Sequence, residues 1–236
     1  MIPLRDSLKS RSFPLVTVLL ILANILVYLG VSHLGPEANA LLRPLTFVPR
    51  RFFAWHGDAL DWERWRPLLS AMFLHANLLH LVSNMWFLWV FGDNVEDRLG
   101  HGRYLLFYLL CGMASFLIHG LSAPFSTVPA LGASGAISGV LGAYLFLFSR
   151  ARILTLVPIV IIPWLVEVPA FVFLGVWFLL QFFYGMASSA AQGGVAWWAH
   201  VGGFVVGLGL CWLFRPPRAR PVRGWPSTEN RNAWLG

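Results

Sequence analysis

The feature that most constrains this chain is a set of apolar runs of about twenty residues, the length of helix that crosses a bilayer. The first, residues 13–33, has no Asp, Glu, Lys or Arg, and comparable runs occupy about 68–91, 104–121, 131–149, 169–184 and 196–214. In hydrocarbon every backbone polar group must be satisfied within the protein, so such runs become helices. The sequence therefore predicts an all-α polytopic membrane protein, a bundle of six transmembrane helices. Composition agrees: 58% of residues are hydrophobic, 11% are charged and the mean hydropathy is +0.68.

The expected organisation is a short basic cytoplasmic segment at 1–12, a membrane domain at 13–214 and a basic, proline-rich, disordered cytoplasmic tail at 215–236. The run 13–33 is too long for a signal-peptide core and ends without an A-x-A site, so it reads as a retained span. Residues 35–66 mix prolines, Arg50-Arg51 and Trp55, Trp62 and Trp65 with acids, and are predicted to lie as an amphipathic loop in the membrane interface. Residues 93–103 form a short charged turn. The stretch 153–184 is broken by Pro158, Pro163 and Pro169; it reads as an interfacial or partly re-entrant segment to about 168, then a fifth span. A small flexible loop is expected at 185–195.

Six spans leave both termini on one side. Lys and Arg number three in the N-terminal segment, two between spans two and three, two between spans four and five, and five in the tail, all on that side. The loops after spans three and five carry none, whereas the loop after span one carries five arginines, partly offset by Glu37, Asp58, Asp61 and Glu63. The positive-inside rule then puts both termini in the cytoplasm. The net charge of +7 comes mainly from the ends of apolar runs, and no phosphate-binding or stacking module accompanies it, so nucleic acid is not an expected partner. Cys111 and Cys211 fall inside apolar segments without metal-ligand spacing and read as buried thiols.

Topology brings polar residues to one depth. Spans two, four and six run in the same direction, and His80 with Asn84, Ser134, and His200 lie near their starts. His80 and Asn84, at i and i+4, share a helical face. His75 lies roughly 140° around from His80 and reads as a structural residue bonding the neighbouring loop. Gly135 and Gly139, with Gly142, form a small-residue face on span four; Gly203 and Gly207 share a face with His200 on span six, a pattern that permits close helix approach. Uncharged polar groups converging inside a membrane suggest a site, the alternative being interhelical hydrogen bonds that only join the spans. Acyl transfer suits them: a serine needs an adjacent base, and an oxyanion needs fixed donors such as an amide, an imidazole N–H and helix N-terminal N–H groups. Gly132 and Gly135 allow close backbone approach, and no Asp or Glu near Ser134 or His200 is available to complete a triad, so a dyad is expected.

The sequence resembles the rhomboid intramembrane serine proteases. Gly132-Ala133-Ser134-Gly135 matches the GxSG motif; Ala199-His200 with Gly203 and Gly207 matches AHxxGxxxG; residues 75–85, HANLLHLVSNM, match the second-span signature. Trp65-Arg66 and Phe91-Gly92 with Glu96 match further positions, expected to serve structure and packing. The resemblance implies Ser134 as nucleophile, His200 as base and acid, and an oxyanion site of His80, Asn84 and the Ser134 backbone N–H. It further implies transmembrane proteins as substrates, lateral entry near spans two and five, and a cap formed by the loop after span five. A bacterial inner membrane, with the site opening outward, is the expected setting. Phe173, Trp177 and Phe178 fit a gate and fit packing against lipid equally well. Where some members carry a tyrosine that stacks on the base, this chain has Ser138, so another group must orient His200. A haem or zinc protein is the competing class; no HExxH and no paired histidine spacing support it, and no cofactor or metal is expected. An inactive rhomboid-like escort would usually lack the serine or the histidine, and both are present here.

Overall fold

The computed structural model describes residues 1–35, 38–159, 162–188 and 194–214. The chain begins with strand β1 (Ile2–Asp6), then helix α1 (Leu15–Ser32). A loop with three short helices follows: α2 (Ala38–Leu42), α3 (Pro49–Phe53) and α4 (Trp62–Ser70). Helices α5 (Leu78–Leu99), α6 (His101–Ser122) and α7 (Ser134–Phe148) lead to a hairpin of β2 (Arg152–Ile159) and β3 (Ile162–Pro169), and α8 (Ala170–Ala187) and α9 (Trp197–Phe214) complete the bundle. The protein is an integral membrane protein. By length and hydropathy α1, α6, α8 and α9 each suffice to cross a bilayer, and α5 qualifies together with the α4 segment from which it is bent by 82°.

The expected fourth span, α7, has only 15 residues, about 22 Å of helix. It is shorter because it is the centre of the bundle. Every residue from Gly135 to Tyr144 is buried, with α5, α6 and α9 around it. Glycines set the spacing on the α9 side. A Cβ added at Gly203 would lie 2.1 Å from the Gly135 carbonyl oxygen, and one at Gly207 the same distance from that of Gly139. Because the obstacles are backbone atoms, Gly207→Ala is expected to force the helices apart and to destabilise by about 1–3 kcal/mol. Gly175→Ala on α8, where the added carbon meets nothing within 4 Å, is the control. Denaturation midpoints of the two variants in one detergent check this.

The second span starts later than predicted and continues through the charged turn. Asn77 caps α5, its side chain accepting from the His80 N–H at 2.8 Å. The acids at the other end of α5 serve the N-terminal segment. Glu96 is fully buried and accepts from the N–H groups of Val16 and Thr17, each at 2.8 Å, and from Thr17 Oγ1 at 2.7 Å. Pro14, the residue before α1, supplies no side-chain cap, so a carboxylate from another helix satisfies the orphan donors of the first turn. Ser10 and Ser12 donate to Asp93 and Asp97 in the same way.

The stretch expected to be interfacial or re-entrant forms the central strand and one edge of an antiparallel three-stranded sheet in the order β1-β2-β3. The registers run from Ile2 opposite Leu156 to Asp6 opposite Ile153, and from Arg152 opposite Pro169 to Ile159 opposite Ile162. Its prolines explain why a sheet forms where a helix cannot. Pro158 and Pro163 face each other near the hairpin end, Pro163 and Pro169 lie on the edge strand, and β1 pairs only with Ile153–Leu156 of β2. No proline therefore interrupts a strand bonded on both sides. Asp6 accepts from Asn94 and from the Tyr144 hydroxyl, tying β1 to α5 and α7. The expected tail and most of the 185–195 loop lie outside the described residues; residues 185–187 continue α8.

The loop between α1 and α5 is held by its own aromatic residues. Phe47 and Ala130 exchange both backbone hydrogen bonds, and buried Phe47 and Phe52 pack together with Phe116 and Trp65. Trp65 also donates its indole N–H to Ala59, and Arg66 pairs with Glu63 at 2.6 Å. Both matched residues thus work within the loop.

Candidate active site

The approach to α7 places its first residue. Gly132 has φ +116°, a conformation that L side chains rarely adopt, and donates its N–H to the Ala71 carbonyl at 2.8 Å. A Cβ at this position would lie 2.7 Å from Cε1 and 2.8 Å from Nε2 of His80, and 3.7 Å from Nδ2 of Asn84. The missing side chain at Gly132 is therefore the space into which the His80 ring and the Asn84 amide fit. Ser134 begins the helix two residues later, so its hydroxyl lies beside first-turn N–H groups that have no intrahelical acceptor.

His200 stands on the first turn of α9, with Nε2 2.8 Å from Ser134 Oγ. Its other nitrogen, Nδ1, is 2.8 Å from Oε1 of Gln181, a buried residue on α8. Three helices thus hold one line, Gln181 to His200 to Ser134. An amide oxygen can only accept, so it fixes the proton on Nδ1 and leaves the Nε2 lone pair facing the serine hydroxyl, the tautomer a general base requires. The rings of Trp177 and Trp197 flank the imidazole at 6.1 Å each. The orienting group expected in place of the family tyrosine is therefore a glutamine on the adjacent helix, α8. Ser138 bonds back to the Ser134 carbonyl at 2.6 Å, its hydroxyl occupied one turn deeper.

The sequence did contain a signal for Gln181. It is the single amide in an 18-residue apolar helix, and a buried amide in a membrane needs a partner. The expectation of a dyad followed from the absence of a nearby acid, and an amide is not an acid.

Asn84 is buried, and its Nδ2 has no hydrogen-bond partner among the described residues. An orphaned donor at this depth is costly unless a ligand or intermediate meets it. His75 has the backbone of Phe73 as a hydrogen-bonding neighbour in the preceding loop, and it also meets His80 edge-on at 5.1 Å. It stands three residues before α5, outside the helix. Of the gate candidates, Phe173 is buried against Phe91, Phe178 packs on Phe204, and Trp177 lies between Phe204 and His200. All three face the bundle.

Gln181 gives a test that separates orientation from packing. In Gln181→Leu the Nδ1 proton loses its acceptor, and a buried unpaired donor costs about 1–3 kcal/mol, or roughly 5- to 150-fold in kcat/KM. Any reaction using His200 as base should speed up as pH rises through imidazole deprotonation and then level. In Gln181→Glu a carboxylate faces the ring and stabilises its protonated form, so the acidic limb should move to higher pH. Loss of activity in Gln181→Leu without that displacement in Gln181→Glu would reduce Gln181 to packing.

A polytopic helical bundle with a serine and a histidine hydrogen-bonded across two central helices defines a class, the membrane-embedded serine hydrolase-like proteins. The Rhomboid domain family matches residues 61–217. RHOMBOID-like protein 6, mitochondrial, of Arabidopsis thaliana is 28% identical over 248 residues, covering 92% of this chain and 73% of the relative. Rhomboid protease GluP of Bacillus subtilis is 35% identical over 133 residues, covering 56% of this chain but only 24% of that protein. Rhomboid protease GlpG of Salmonella newport is 26% identical over 214 residues, covering 89% and 67%. The chain belongs to the rhomboid family.

Proposed function

We propose that this protein hydrolyses peptide bonds in or near transmembrane segments of other membrane proteins, using Ser134 and His200 as a catalytic dyad. Membership of the family, with relatives named rhomboid proteases, makes it a serine-type intramembrane protease. The observation that carries the finer reading is the 2.8 Å contact of His200 Nε2 with Ser134 Oγ, backed by Gln181 on the far side of the ring.

Ser134 Oγ attacks the scissile carbonyl while His200 Nε2 takes its proton. The carbonyl oxygen becomes an oxyanion, met by Asn84 Nδ2, the His80 ring and the Ser134 N–H. His200 then protonates the departing amine, leaving an acyl-serine. Water, deprotonated by the same imidazole, releases the acid and restores the serine. Gln181 stays neutral throughout and holds the tautomer. Trp65, Arg66, Glu96 and the glycines of α7 and α9 support the frame. The Lys and Arg distribution supports both termini lying in the cytoplasm of a bacterial cell, with the site opening to the other side of the inner membrane. Residues 13–214 form the membrane domain, and lipid surrounds it. Labelling with a fluorophosphonate and mapping of the adduct test the assignment; an adduct that persists in Ser134→Ala would overturn it.

A further inference from the structure

The five arginines of the α1–α5 loop run against the charge distribution elsewhere, and the active site gives them no task. Two are engaged by other side chains: Arg64 lies over the rings of Phe52 and Trp65, and Arg66 pairs with Glu63. The other three, Arg43, Arg50 and Arg51, line one cavity of about 1060 Å³, at the upper end of ligand-sized pockets of about 300–1,000 Å³. Among the described residues no carboxylate lines it. The loop's acids are engaged elsewhere, Asp58 and Asp61 by backbone N–H groups and Glu63 by Arg66, while Glu37 lies outside the described residues. Arg51 is fixed by donating to the Arg43 and Thr46 carbonyls. Burial first, then the charges of Arg43 and Arg66, hold its guanidinium below the ordinary arginine value, with Glu63 acting in the opposite direction.

Two further features point to a ligand. His75, only 8% exposed, lines the cavity beside His80, and the buried Trp55 indole N–H on the same wall has no partner among the described residues. One side of the wall is apolar, formed by Val27, Tyr28 and Val31 of α1 with Leu42, while Thr46, His56 and Thr127 add polar groups elsewhere on it. Beside them on α1, Leu26 and Leu29 are 67% and 50% exposed, as on a helix that meets acyl chains. A cationic, donor-rich end joined to an apolar wall at the membrane edge matches a single kind of molecule, an anionic amphiphile.

We propose that this cavity is a binding site for an anionic glycerophospholipid. Its phosphodiester is held by Arg43, Arg50 and Arg51 with the His75 and Trp55 donors, and an acyl chain lies along Val27, Tyr28 and Val31. The α1–α5 loop is then anchored to lipid beside the entrance to Ser134, because Leu131 lines the same cavity. The assignment is independent of the protease reading.

The test uses the full chain in nanodiscs containing equal phosphatidylglycerol and phosphatidylcholine, with retained lipid counted by native mass spectrometry. Wild type should retain phosphatidylglycerol preferentially. Each juxtamembrane arginine is worth about a factor of five, so Arg43→Gln with Arg50→Gln should lose about twenty-fivefold of that preference. The corresponding Lys pair should keep most of it and shows that the loop still folds. Arg150→Gln with Arg152→Gln, beyond the other end of α7, should not change it. Ser134→Ala should bind as wild type does, so failure here and failure of the catalytic assignment are separable. No preference in wild type, retention by the Gln pair, or displacement of the lipid by inorganic phosphate would each overturn the proposal; preferential retention of an added acidic peptide over phosphatidylglycerol would do so too.

Discussion

Ser134→Ala is expected to reduce cleavage of a reporter transmembrane substrate to the detection limit while leaving the protein folded. In a soluble serine protease, loss of the nucleophile or of the base each costs roughly 10⁶ in kcat, and their combined loss costs about the same. The same non-additivity is expected here, because Ser134 and His200 act through one hydrogen bond of 2.8 Å. His200→Ala should therefore match Ser134→Ala, and the double variant should be no worse. Stability should barely move in Ser134→Ala, since the hydroxyl is partly exposed and its partner retains Gln181. Ser138→Ala supplies the contrast. Its hydroxyl bonds a carbonyl on its own helix, so turnover should change by only a few fold, about the worth of one neutral hydrogen bond. Turnover in vesicles and melting temperature, measured on the same preparations, check all four variants. Residual cleavage in Ser134→Ala well above that in His200→Ala would mean a different nucleophile.

What the sequence revealed depended on how strongly each residue contrasts with its surroundings. Ser134, His200, His80 and Asn84 were legible because polar side chains in apolar runs need a reason, and the span directions put them at one depth. Gly203 and Gly207 were legible because i and i+4 glycines on one face imply contact, and the structure sets each against a carbonyl of α7. The β-sheet was not legible. Strand alternation is a contrast between apolar and polar, and RILTLVPI and IPWLVEVP offer almost none. Its third strand comes from residues 2–6, a pairing that no local pattern announces. The length of α7 was hidden for a related reason: hydropathy continues through residues 131–133, which are loop in the structure. Gln181 was hidden by its chemistry, since the usual partner behind a catalytic histidine is a charged group. An amide suffices where the task is to hold a tautomer in a medium that penalises charge.

Asn84→Ala and His80→Ala should then lower kcat by up to roughly 10²–10³, with KM and melting temperature nearly unchanged. The motive is the unpartnered Asn84 Nδ2 and the fit of both side chains around Gly132. A donor without a partner in the resting protein contributes nothing to its stability, and removing it relieves a desolvation cost; Asn84→Ala could even raise the melting temperature. The same donor acts when negative charge develops on the carbonyl oxygen, so its loss appears in the chemical step. Interhelical glue predicts the reverse, a loss of stability near 0.6 kcal/mol with normal turnover per folded molecule. Asn84→Asp sharpens the distinction. It keeps the shape, replaces the Nδ2 donor with an acceptor, and places a like charge beside the oxyanion, so it should be at least as slow as Asn84→Ala. If Asn84→Asp turned over like wild type, the amide would be removed from the mechanism and Gly132 would be left as a packing glycine against His80.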